Sequence, residues 1–127
     1  GAKGGRLFFV QDANGSGLFL LDIATGAGTF VGTSGTTGSN CGLTESPNPT
    51  RLIGSTPNDI SFVNTDGSIS INFMGTPTAE GLAFNPNDGL LYGSLNGTFF
   101  TMNAANGSFI GNLPAPRGRG VMADGLG

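Results

Sequence analysis

The chain has no histidine, no tryptophan and a single cysteine, and only 10% of its 127 residues are charged. Without histidine, the commonest general base and metal ligand is missing, and with it every Ser-His-Asp or Cys-His arrangement. A hydrolase built on this chain would have to work with carboxylates alone. The single cysteine, Cys41, rules out an internal disulfide and fits either redox compartment. Five basic residues against eight acidic ones, a net charge of −3, leave no basic footprint for nucleic acid and nothing to attract anionic lipid. No apolar run approaches the roughly 18 residues of a membrane helix. No leader is visible, and an opening on Gly1 fits a removed signal as well as a fragment. So few charges leave little colloidal repulsion, a composition more at home on an exported or assembled protein than on a cytosolic enzyme.

What the chain has is glycine, 24 of them, and turns. Residues 81–111, GLAFNPNDGLLYGSLNGTFFTMNAANGSFIG, read as one antiparallel meander of four short strands. Its turns are Pro86-Asn87-Asp88-Gly89, Asn96-Gly97 and Asn103 to Gly107, each rich in residues that preset or tolerate turn dihedrals. Shifted by 39 residues, GLTESPNPTRLIGS at 42–55 matches GLAFNPNDGLLYGS at 81–94 at seven of fourteen positions. Phe30-Val31-Gly32, Phe73-Met74-Gly75 and Phe109-Ile110-Gly111 close the units with one motif: aromatic, aliphatic, glycine.

A four-stranded repeat of this length is the spacing of a β-propeller blade. The expected fold is therefore all-β, a propeller-like array of three four-stranded meander repeats in one domain. A sandwich of three meanders is the alternative. The first repeat, about 5–32, is expected to lack its opening strand, with residues 1–6 as an arm. A Gly/Ser/Thr loop at 33–41 follows, then the second repeat at about 42–75 and the third at about 81–111. Residues 119–127 fall where a further repeat would begin. Read this way, the chain starts and stops inside a blade, and Arg119, Gly120, Val121, Met122 and Ala123 form a strand donated across a boundary. Three blades are below the usual closed range of about four to eight. Two chains closing into six blades, many chains joined as a filament, or missing blades of a longer chain all satisfy the open edges.

GLAFNPNDGLLYGS, together with LFLLDIATGAGTFVG at 18–32, resembles the propeller-like repeats of exported bacterial proteins, many of which carry a C-terminal cell-surface sorting signal. The resemblance covers nearly the whole chain. It implies an extracellular or cell-surface setting and carries over no catalytic residue. The second repeat departs from it, with Thr44-Glu45 where the third has Ala83-Phe84, and no sorting tail is present. The missing tryptophan argues against a sugar-binding propeller lectin.

The remaining candidate sites are few. Glu45 and Glu80, the only glutamates, occupy different repeat positions, and a glycosidase-style pair is the sharp reading against two solvated carboxylates. Cys41, Glu80 and Arg119 each precede the glycine that opens a unit and would converge if the opening strands lined a channel. Asp12 to Gly17 begins like a calcium loop, but Leu18, Leu20 and Ile23 stand where ligands are needed, which favours a hairpin turn. Asn14, Asn96 and Asn106 head N-x-[ST] sequons on expected turns, and turn chemistry alone also produces this pattern. Arg117-Gly118-Arg119 is a small basic cluster, a phosphate reader or a solvated linker. Phe62, Phe73, Phe84 and Phe109 read as packing between blades.

The expected function is a non-enzymatic extracellular structural protein that self-associates by completing open blade edges. It needs no cofactor or metal, and its partners are copies of itself or further blades. The alternative is a propeller-type binding module for a glycan, peptide or small ligand.

Overall fold

The computed structural model describes residues 2–3, 6–11, 17–32, 42–55, 60–68 and 79–114. Regular structure there is entirely β, in three antiparallel sheets that follow chain order. The first joins β1 (Ala2–Lys3), β2 (Arg6–Gln11), β3 (Gly17–Leu21) and β4 (Gly28–Gly32). The second joins β5 (Gly42–Glu45), β6 (Arg51–Ser55) and β7 (Ile60–Asn64), and the third joins β8 (Gly81–Asn85), β9 (Leu90–Leu95), β10 (Thr98–Asn103) and β11 (Phe109–Leu113). Loop 33–41, a fourth strand of the second repeat at Ile69 to Phe73, and the stretch 119–127 lie outside the described residues.

The turns obey the residues in them. Asn96 and Gly97 take φ of 49° and 80°, the doubly positive pair of a type I′ hairpin, and β9 pairs with β10 across it from Leu95↔Thr98 to Leu90↔Asn103. The turn before the last strand recurs in the first and third repeats. Gly26 N–H donates to Asp22 O and Gly107 N–H to Asn103 O, both at 2.8 Å, and each glycine has positive φ. In the second repeat this turn is one residue tighter, Gly67 N–H to Asn64 O at 2.9 Å.

One expectation needs correction. The first repeat does have an opening strand: Ala2 pairs with Leu7, Lys3 pairs with Arg6, and Lys3 Nζ donates to the Ser46 carbonyl of the second repeat. The connection behind it is only residues 4–5, so the Pro-Asn turn that marks this point in the other repeats is absent. The Phe-aliphatic-Gly motifs, moreover, are not at one ladder position. Those of the first and third repeats each carry a β-bulge, but Phe30 lies opposite Phe19 whereas Phe109 lies opposite Met102. Phe30 follows its turn glycine by four residues and Phe109 by two, which slides the motif along the strand.

The core lies between sheets rather than within one. Pairing sets Leu7↔Leu21, Leu52↔Val63 and Leu91↔Met102 as equivalent rungs. Alternation along β6 and β7 then sends Leu52 and Val63 to one face and Ile53, Ile60 and Phe62 to the other. Leu52 and Val63 pack with Phe8 and Leu18 of the first repeat, and Leu20, Val31 and Leu43 lie against that cluster. Ile53, Ile60 and Phe62 pack with Leu82, Phe84, Leu91, Phe100 and Met102 of the third. We call the face toward the following repeat leading and the other trailing. Each fully buried aliphatic side chain contributes about 1.5–3 kcal/mol.

Neighbouring repeats also meet through backbone. β5 lies along β8, and Phe84 N–H donates to Thr44 Oγ1 at 3.1 Å; within the first and second repeats, Arg6 and Arg51 cover the rings of Phe8 and Phe62 at 5.1 Å. Gly32 of β4 abuts the Gly67 turn so closely that a Cβ on Gly67 (φ 78°) would stand 2.5 Å from Gly32 Cα. Around Gly26 (φ 74°) there is nothing within 4 Å. Gly26→Ala should therefore cost about 1–2 kcal/mol, from φ alone. Gly67→Ala should cost about 1–3 kcal/mol more, from overpacking. Urea denaturation of the two variants measures the difference, and equal losses would contradict the close approach.

Candidate functional site

The described carboxylates do not converge. Gly42 lies beside Leu82, and Thr44 bonds to Phe84, so β5 and β8 run in the same direction. Glu45 then stands level with Asn85, five residues along from Glu80 and about 16 Å away by strand rise. A glycosidase pair holds its carboxyl groups about 5–9.5 Å apart, and a backbone offset of this size does not set the two side chains on one rung. Glu80 is exposed and its backbone N–H donates to Ser94 O at 2.8 Å. Cys41, Arg117, Arg119 and the Asp12 to Ser16 turn lie outside the described residues, so their proposed convergence and calcium geometry are not placed. Among the described residues no group of three or more His, Cys, Asp or Glu side chains could hold a metal ion.

Asn96 and Asn106 sit exposed on their turns, while Asn14, like the strand 119–123, lies outside the described residues. Asn106 Oδ1 accepts from Ser108 N–H at 2.9 Å, the same contact that Asp66 Oδ1 makes with Ser68 at 2.8 Å. The Ser68 hydrogen bonds hold the Asp66 carboxyl below its ordinary value. These are turn-closing bonds, a structural use of side chains that also create the sequon pattern.

Two features escape a sequence reading. Ser55 and Ser94 occupy the same rung, paired with Gly42 and Gly81, and both hydroxyls are buried without a hydrogen-bond partner. Only the finished packing reveals this. Tyr92 on β9, the sole tyrosine, donates to Asp88 Oδ2 at 2.8 Å and lies 5.9 Å from the Phe99 ring. The hydrogen bond, with smaller help from partial burial and the carboxylate charge, raises the phenol above its ordinary value of 10.0.

The most extensive unusual surface is apolar. Ile23, Phe30, Phe109, Ile110 and Leu113 are large side chains between 39% and 81% exposed. All but Ile23 lie on β4 and β11, which pair on one side only among the described residues. Phe30 leans on Phe19 with ring centroids 5.5 Å apart, and Phe109 on Phe100 at 6.4 Å. Of the phenylalanines expected between repeats, Phe62 and Phe84 are buried there, Phe73 lies outside the described residues, and Phe109 is half exposed. No helix among the described residues is long and apolar enough to cross a membrane.

No family model matches the chain, and no curated protein matches it.

Two outcomes follow from this geometry. Tyrosinate absorbance should titrate with a midpoint above 10, and Asp88→Asn should return it toward 10. The bond to Asp88 requires the protonated phenol, so its stabilisation is complete below pH 10 and fades as pH rises through the raised pKa. Ser55→Ala, removing an orphaned hydroxyl at a rung where the first repeat has Val10, should leave stability unchanged or raise it by up to about 1–3 kcal/mol. A clear loss in thermal unfolding would show that the hydroxyl has a partner.

Proposed function

We propose that this chain is a non-enzymatic structural protein of the cell surface or extracellular space, a set of propeller-like repeats that assembles with copies of itself. The observation that carries this reading is the way apolar surface is covered. Both described cores form where the face of one repeat meets the face of the next. The outer strands of the first and third repeats, by contrast, leave Phe30, Phe109, Ile110 and Leu113 open to solvent. Among the described residues those same strands pair on one side only, the feature that invites addition of another chain.

Chemistry and composition point the same way. Glu45 on β5 and Glu80 just before β8 stand about 16 Å apart along the strand direction. A surface of Ser, Thr, Asn and glycine with a net charge of −3 offers little repulsion between copies and suits a setting outside the cytoplasm.

Sedimentation velocity over a wide concentration range, followed by electron microscopy, tests the proposal. Species heavier than the monomer should grow with concentration, as closed rings or as filaments. A protein that remains monomeric up to its solubility limit overturns it.

A further inference from the structure

We infer that the copies meet head to tail, the leading face of the third repeat of one chain against the trailing face of the first repeat of another. This rests on the self-association proposed above and gives it a polarity. Two interfaces within the chain supply the pattern. In each, the leading face of one repeat covers the trailing face of the next: Phe8, Leu18 and Leu20 against Leu52 and Val63, then Ile53, Ile60 and Phe62 against Leu91, Phe100 and Met102.

The same rungs recur at both ends of the array. On the third repeat, Tyr92 and Phe99 stand at the rungs of Phe8 and Leu18, and Leu113 pairs opposite Phe99. Ile110 is the bulged residue there, as Val31 is in the first repeat. Val31 is packed against the Leu52 and Val63 cluster, whereas Ile110 remains 55% exposed. On the first repeat, Leu21 stands at the rung of Val63 and Met102, both fully buried by a preceding repeat. Leu21 is only half buried, and Phe30 across the same face is 56% exposed.

At Leu21 on the first repeat, and at Tyr92 and Phe99 on the third, each end therefore carries a partly exposed ring or aliphatic side chain where an inner contact is buried, and the complement of each is found on the opposite end of the same chain. The described residues of β3, β4, β9, β10 and β11 include no charge, and the Asp88 carboxylate bonded to Tyr92 at the leading face meets no like charge from β3 or β4. A contact between unlike faces is heterologous: it closes a ring if the rotation permits and otherwise continues as a filament.

The test uses two full-length variants, Ile110→Lys on the leading end and Phe30→Lys on the trailing end. Ile23→Lys is a control in an exposed turn off both faces. Each end variant alone should lose association by at least ~30-fold, the effect of disabling a central contact. The control should behave as the wild type. Mixed in equal amounts, the two end variants should form a dimer and stop, because one intact junction remains. Circular dichroism establishes folding, and Ile110→Thr with Phe30→Ser replace any variant that fails it.

If wild type is monomeric throughout, self-association itself falls. If wild type associates but either end variant alone still forms dimers, like faces are meeting and the head-to-tail polarity falls by itself. Undiminished polymers from both variants, or a mixture that yields no dimer, overturn the polarity in the same way.

Discussion

Everything in this fold depends on one constraint: each sheet has two faces to cover, and among the described residues only other sheets cover them. Layered domains commonly use a helix to bury a sheet face. Here Leu52 and Ile53 are consecutive and both fully buried, one toward each neighbouring repeat. A short strand with apolar residues on successive positions is stable only when both sides are filled. The middle repeat meets that condition within the chain. The outer two meet it on one face each, and Phe30 and Leu113 stand exposed on the faces left over.

Much of this architecture was legible in the sequence because turns carry local chemistry. Asn96-Gly97 and the paired Asn103 and Asp22 turns each act within a few residues, and the strands they bound are in place. What escaped had no local signature. The opening strand of the first repeat sits behind a connection of residues 4–5 with no Pro-Asn marker. The Phe-aliphatic-Gly motifs look interchangeable by composition, yet two additional residues after Gly26 move one of them along its strand. Which face of a repeat meets which neighbour was equally hidden, since consecutive buried residues erase the period-two pattern that normally assigns faces.

The candidate sites divide in the same way. Asn96 and Asn106 were placed on exposed turns because turn residues report their own geometry. The two glutamates could not be judged from sequence, since their separation depends on how β5 and β8 run past one another. The orphaned Ser55 and Ser94 hydroxyls were invisible for a related reason: burial and satisfaction belong to the packed state, and serine at this spacing suits a solvated strand equally well.

Half-identity between repeats suffices because the interfaces conserve volume rather than residues. At the first interface a phenyl ring, Phe8, comes from the leading side, and the trailing rung beside Leu52 and Val63 is the small pair Gly54 and Ser61. At the second, Ile53 stands in place of Phe8 and Phe62 in place of Leu20, so the ring crosses the rung on the same leading side, and the trailing side carries Phe100 opposite Gly93. A Cβ on Gly93 would collide with that ring, so the glycine is the space the ring occupies. Volume-conserving exchanges of this kind are the ones a packed core tolerates best. They allow successive repeats to drift in sequence while the contact they make stays full.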